Sequence, residues 1–407
     1  MRRWLTAVAA ALVIATSAGA VYAVSHQAFD WGLPDWVPLP VVPPDNPMTR
    51  EKVELGRHLF YDKRLSADAT MSCATCHQQD KAFTDGKKFS KGITGQEAKR
   101  SAMSLANVAY LPVFTWANPL LTSLEVQALI PLFGEHPVEM GMAGKEAVLF
   151  ERLKADPTYQ KLFRNAFPAE AKTGDDTLYS LSTITKALAS FQRTLISVSS
   201  PYDRYRYGGE LSAIGPAAKR GEALFFGEKM ECYHCHGGFN FTDNIQHSRM
   251  PFPELGFHNT SLYNTDGKGR YPDGHTGIEE FTGAAADMGK FRTPTLRNVA
   301  KTAPYMHDGS IADLAAVIRS HYAKAGRSVS SADGPNPLRS EFMVGFAVSE
   351  EEVRDLIAFL ESLTDRHLLT DHRFSDPWGS NPRPQQVSAA TPAGPPELQA
   401  LSSSRPN

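Results

Sequence analysis

The sequence predicts an all-α protein made of two successive domains of one kind, and three observations predict it. Cys-x-x-Cys-His occurs twice, at Cys73 to His77 and at Cys232 to His236. The residues around the two copies resemble each other, and apolar residues elsewhere recur every three or four positions. A chain of 407 residues is long enough for two cores. Its 42% hydrophobic and 21% charged content is that of a soluble globular protein, which excludes disorder, collagen and a disulfide-framed miniprotein. With 42 Lys+Arg against 44 Asp+Glu and no basic run, nothing points to nucleic acid as a partner.

Taken in chain order, residues 1–23 (MRRWLTAVAAALVIATSAGAVYA) read as a secretory signal peptide. Two arginines lead an apolar stretch from about Leu5 to Thr16, and Val21-Tyr22-Ala23 gives the small-residue pattern for cleavage after Ala23. An uncleaved anchor is the rival reading. The apolar run is shorter than the ~20 residues a membrane span needs, and no other stretch reaches that length, so the mature chain is expected to be exported, periplasmic and without a membrane span. Residues 24–200 then form the first domain and 201–381 the second, with the boundary at the turn signal Ser199-Ser200-Pro201. Residues 382–407, rich in Pro, Ser, Ala and Gln, are expected to be a disordered tail.

Export favours disulfides, but the residue after each cysteine pair argues otherwise. Cys73-Ala-Thr-Cys76-His77 and Cys232-Tyr-His-Cys235-His236 match the attachment signature of haem c. Two thiols on one helical turn can form thioethers to the two vinyl groups while the adjacent imidazole reaches the iron. A lone copy could be a zinc or redox pair; two copies that use all four cysteines favour two covalent haems. Leu59-Phe60 precedes the first motif and Leu224-Phe225 the second, while Phe83-Thr84-Asp85 and Phe241-Thr242-Asp243 follow them. A duplicated cytochrome-c-like unit is implied, a few helices wrapped round each haem. Leu178, Leu181, Ile184, Leu188, Phe191 and Leu195 mark one amphipathic helix. Ser349 with Glu352 forms a capping box ahead of Val353, Leu356, Ile357 and Leu360, in a helix that ends near Asp365.

Over roughly residues 45 to 365 the chain resembles the bacterial di-haem cytochrome c peroxidases and their MauG-type relatives. The resemblance is carried by LGRHLFYD before the first motif, SLEVQALIPLFGEHPVEMG at 123–141 and FRTPTLRNVAKTAPYMHDGS at 291–310. FDWGLP at 29–34, VPPDNPMT at 42–49 and GEHPVEMG look most like the methanobactin-associated MauG homologues, the MbnH type. That resemblance implies hydrogen peroxide as oxidant and, as substrate, a copper-associated partner protein of the MbnP type, whose tryptophan becomes kynurenine. It also implies site residues. Glu139 matches the distal glutamate of the peroxidatic pocket, where a carboxylate can carry a proton between the peroxide oxygens; Gln127 and Pro131 match residues of the same pocket. Trp116 matches the tryptophan between the haems and could relay electrons, a core residue being the alternative reading. His307 matches a contact of the haem propionates. A calcium ion between the haems would map to Asn107, Thr302 and Pro304, calcium preferring oxygen ligands.

No histidine occurs from Gln78 to Glu135, where the family members that need reductive activation carry a blocking one. The first haem, on His77, is therefore expected to be open, with Met103 the alternative occupant. For the second, on His236, ordinary peroxidases use methionine and MauG-like enzymes tyrosine. Counting without a gap puts His321 at that position, whereas aligning His321-Tyr322-Ala323 puts Tyr322 there with one residue inserted; Tyr322 is preferred, and Met306 is a third candidate. An oxygen ligand would lower that iron's potential relative to a thioether, which favours oxidation of a protein residue over simple peroxide removal. A plain cytochrome c peroxidase served by a small cytochrome or cupredoxin, and a di-haem electron carrier without peroxide chemistry, are the rival readings.

Overall fold

Helices that cross at glycines form the frame. The structure, a computed structural model, describes residues 29–326 and 336–379; the expected signal peptide 1–23 and tail 382–407 lie outside the described residues. Helix α1 (Arg50–Tyr61) starts at Thr49, whose hydroxyl accepts the Lys52 N–H at 3.1 Å, and it buries Leu55, Gly56, Leu59 and Phe60. Helix α2 (Leu181–Arg193) presents Ile184, Ala187, Leu188 and Phe191 to that face. The two approach so closely that a Cβ on Gly56 would lie 1.9 Å from the Ala187 carbonyl oxygen and 2.9 Å from Phe191 Cβ. In the second half, α3 (Pro216–Phe225) and α4 (Glu350–Ser362) repeat the arrangement: a Cβ on Gly221 would lie 2.0 Å from the Asp355 carbonyl oxygen and 2.8 Å from Phe359 Cβ. Gly56-x-x-Leu59-Phe60 and Gly221-x-x-Leu224-Phe225 are thus one packing unit used twice. Leu59 and Phe60, and in the copy Phe225 and Phe359, are buried at 2% exposure or less, each contributing about 1.5–3 kcal/mol.

Both expected helices form, with shifted ends. The apolar period from Leu178 to Leu195 is interrupted because Ser180 and Thr183 make a capping box, so α2 begins at Leu181 and Leu178 belongs to a separate turn. Helix α4 begins at its Ser349–Glu352 box and stops at Ser362, and Asp365 caps the next helix, Arg366–Thr370. That last segment returns to the first core: Leu368 and Phe374 pack into it, and the Tyr61 hydroxyl donates to the Phe374 carbonyl at 2.5 Å.

The architecture is largely helical, with four short strands among the described residues added to the all-α expectation. β1 (Asn244–Ile245) pairs antiparallel with β2 (Glu254–Leu255), and β3 (Phe257–Asn259) with β4 (Lys290–Arg292). Another repeat joins the halves. Leu105-Ala106-Asn107-Val108-Ala109 and Leu296-Arg297-Asn298-Val299-Ala300 each place asparagine in the left-handed region, φ 58° and 62°, at the head of a short 3₁₀ turn. Both amides converge on Ser197: Asn107 accepts its N–H at 2.6 Å, and Asn298 donates to its hydroxyl at 2.9 Å. Two buried ion pairs complete the frame, Arg297 with Asp203 at 2.8 Å and Arg193 with Glu125 at 2.8 Å.

Candidate functional site

Each cysteine motif occupies a single helical turn. Cys73–Cys76 is capped by Ser72 and Thr75; the second turn is Tyr233–His236. After each, the chain reverses through a phenylalanine in the left-handed region, Phe83 at φ 62° and Phe241 at φ 51°. The reversal aims a carbonyl back at the histidine. His77 Nδ1 lies 2.8 Å from the Phe83 oxygen, and His236 Nδ1 lies 3.0 Å from the Phe241 oxygen. A carbonyl can only accept, so Nδ1 carries the proton and Nε2 keeps its lone pair, the tautomer a metal-ligating imidazole needs. Burial lowers the pKa of both rings, which favours the neutral form. The four cysteines form no disulfide. Burial pushes the Cys73 and Cys232 thiols up to about 12, so neither is a ready thiolate. Among the described residues the one cluster of three His, Cys or acidic ligand atoms is Cys235, Asp243 and His258. No pair of cysteines shares a ligand cluster, against the zinc alternative. With Cys235 as a haem anchor, that cluster reduces to the His258–Asp243 pair, 2.5 Å apart.

Around the first motif, Glu139 is largely buried, and burial raises its pKa. A negative charge on Glu139 would raise the pKa of both Cys73 and Cys76. The loop carrying it is fixed on two sides: Ile93 N–H donates to the Glu139 carbonyl at 2.9 Å, and Met140 N–H to that of Pro131 at 3.0 Å. Pro131 lies in the turn Leu129–Phe133, directly after the one that ends at Gln127, a half-buried side chain. Glu125, on the same turn as Gln127, is a different case. Burial would raise its pKa, but the Arg193 guanidinium outweighs this and holds it near about 2, a structural carboxylate. The Met103 sulfur takes the Arg292 guanidinium at 3.1 Å.

Around the second motif a cavity of about 260 Å³ opens, lined by Cys232, Cys235, His236, Tyr322, Trp116 and His307, among others. Tyr322 is half-buried and lines the cavity together with Cys232 and Cys235, and burial raises the pKa of its phenol. His321 does not line the cavity; both its ring nitrogens are buried without a partner. It ends a π turn, Val317–His321, and a π turn accommodates one residue more than an α turn. Met306 also lines the cavity, in the left-handed region at φ 73°. The His307 ring stacks on Phe291 at 3.7 Å and its Nε2 is buried without a partner; burial lowers its pKa to about 3, so it is neutral. Trp116 Nε1 donates to the Ser101 carbonyl at 2.8 Å, and Ser101 N–H donates to the His307 carbonyl at 2.8 Å, tying the Trp116 ring and the His307 backbone to one residue.

These features fit haem c. Each turn offers two thiols and a committed imidazole, and the cavity wall holds a buried imidazole nitrogen in want of a polar ligand. Calcium finds less. Asn107 already accepts the Ser197 N–H and donates to Asn240 at 2.8 Å, and it does not line the cavity, whereas Thr302 and Pro304 do. Sequence reasoning missed Arg292, which sits on the cavity wall inside the quoted segment 291–310. It also missed the purpose of the repeated Phe-Thr-Asp strings, whose phenylalanine carbonyls orient the two histidines.

Known proteins match this arrangement. The family described as di-haem cytochrome c peroxidase matches residues 50–211. The methylamine utilization protein MauG of Methylorubrum extorquens is 39% identical, over 81% of this chain and 82% of the relative. The cytochrome-c peroxidase IdrP1 of Denitromonas iodatirespirans is 34% identical over 84% of this chain and 89% of its own length. Among solved structures, a MauG-like protein associated with microbial copper homeostasis superimposes with a TM-score of 0.81 at 46% identity, covering 86% of this chain and 100% of that one. The di-haem peroxidase BthA of Burkholderia thailandensis shares the fold, with a TM-score of 0.62 at 22% identity.

Proposed function

The chain belongs to the di-haem cytochrome c peroxidase family that includes MauG and is a peroxide-dependent di-haem oxidoreductase; from that premise we propose that it oxidises a tryptophan of a partner protein, to kynurenine, rather than only removing peroxide. The observation that carries the reading is Tyr322: a phenol on the wall of the same cavity that Cys232, Cys235 and His236 line. Tyr322 would hold the second haem's iron in preference to His321, which lies outside the cavity lining; the π turn at 317–321 accommodates the inserted residue that this register requires. When bound, the haems supply peroxide activation and storage of oxidising equivalents.

The protein's own residues supply the rest. His77 and His236 are held as neutral ligands by the Phe83 and Phe241 carbonyls. Glu139 accepts a proton from peroxide on one oxygen and returns it to the other, its raised pKa bringing it closer to a working acid–base range. Gln127 and Pro131 wall that pocket. Trp116, with its N–H held by Ser101, provides an oxidisable ring on the cavity wall through which electrons can pass, so the partner need not reach an iron. A copper-associated partner of the MbnP type is supported by the 46% identity to a MauG-like protein associated with copper homeostasis. Export to the periplasm is supported by the leader-like segment 1–23; among the described residues no helix is long and apolar enough to cross a membrane.

Met306 on the cavity wall favours one second reading, a peroxidase with a thioether ligand drawing on a small cytochrome. The two separate in one experiment. The ferric protein is given peroxide with either a small exported copper-binding protein or reduced cytochrome c. The proposal predicts mass-detectable tryptophan oxidation in the first and slow turnover in the second; rapid cytochrome oxidation with an unmodified partner would reverse the assignment.

A further inference from the structure

Among the described residues three arginines are buried to 5% exposure or less, and two of them have acids: Arg193 holds Glu125 at 2.8 and 3.0 Å, and Arg297 holds Asp203 at 2.8 and 2.9 Å. Arg292 has none. Its Nε donates to the Thr115 carbonyl at 2.9 Å and its Nη2 to the Met103 sulfur at 3.1 Å, both neutral acceptors. Among the described residues no carboxylate pairs with it. Burial lowers its pKa to about 10, so it still carries its charge at neutral pH. A guanidinium removed from water without a counter-ion is costly, and this one lies on the cavity wall that also holds His307 and Trp116. The single acid in that lining, Glu231, is partly exposed, with its carboxyl 3.9 Å from His234. The missing negative charge must therefore come with whatever fills the cavity.

A haem brings two carboxylates of its own. We propose that Arg292 is the counter-ion of a propionate on the His236 haem and that the same residue positions Trp116 beside it. The second half follows from the backbone. Arg292 N–H donates to the Trp116 carbonyl at 2.8 Å, while its side chain holds the carbonyl of Thr115, a β-branched residue in the left-handed region at φ 67°. One residue thus fixes both peptide groups on either side of Trp116 and faces the cavity with its charge. Arg292 acts as a positioning residue, and a planar fork suits a carboxylate as a single ammonium does not.

The inference rests on haem c filling the cavity, so the test begins by counting haems in the purified holoprotein by pyridine haemochrome; fewer than two per chain would remove that reading and this one with it. Given two, Arg292→Gln keeps an N–H for Thr115 but removes the charge. A redox titration should show reduction of the His236 haem disfavoured on the order of tenfold, about 59 mV for one electron, with Arg292→Lys recovering most of the loss. A potential unchanged in Arg292→Gln, or a shift confined to the His77 haem, would overturn the assignment while leaving the haem reading intact. Should Arg292→Gln fail to mature, resonance Raman of Arg292→Lys against the native protein reads the propionate bending band directly: a shifted band supports the pairing and an unmoved one overturns it.

Discussion

Replacing Glu139 by glutamine separates chemistry from stability in one side chain. Glutamine keeps the volume and can still hydrogen-bond, but it cannot take up and return a proton. A positioned acid–base group contributes roughly 10²–10⁴ in rate, and at 1.36 kcal/mol per decade this is about 2.7–5.4 kcal/mol of barrier. The structural consequence has the opposite sign. Glu139 is partly buried, its pKa is raised by that burial, and among the described residues no basic side chain pairs with it. Its folded-state pKa therefore lies above the unfolded value of about 4.3. The folded protein binds that proton more tightly, so stability falls as pH rises from the unfolded pKa through the folded one. Glu139→Gln removes this penalty. At neutral pH the variant should melt no lower than the native protein, and the difference should close below about pH 4. Stopped-flow absorbance after peroxide addition reads the rate and calorimetry reads the melt. A native rate would remove Glu139 from proton transfer; a slow rate joined to a large loss of stability would show that glutamine had merely damaged the pocket.

Two further outcomes follow from the geometry. Tyr322→Phe should abolish the low-spin signal of the His236 haem while His321→Ala leaves it; electron paramagnetic resonance checks both, and the reverse result would restore the gap-free register. Gly221→Ala and Gly56→Ala should each cost about 1–3 kcal/mol or more, because the new Cβ would lie 2.0 and 1.9 Å from a carbonyl oxygen of the facing helix; an unchanged thermal melt would mean the helices part without penalty.

What could be read in the sequence was what depends on neighbours along the chain. The haem motifs are legible because two thioethers and an axial imidazole must come from one helical turn. The Ser349–Glu352 box announced α4 for the same reason, whereas the Ser180–Thr183 box, overlooked within the Leu178–Leu195 period, cost the start of α2. The repeats were visible as strings but not as purposes. Phe83 and Phe241 matter through their carbonyls, and Gly56 and Gly221 matter through helices more than a hundred residues away. The Leu-x-Asn-Val-Ala repeat at Asn107 and Asn298 could have been found by comparing the halves. Arg292 could not: its significance is the absence of a carboxylate around it, which exists only once the chain is folded.

In the proposed function Glu139 and Tyr322 divide the two irons between an open and a closed role, and electron paramagnetic resonance of the ferric protein as isolated tests that division most directly. One high-spin and one low-spin haem, with the high-spin signal lost on adding peroxide without prior reduction, is the predicted result; two low-spin haems, neither responding to peroxide, would contradict it.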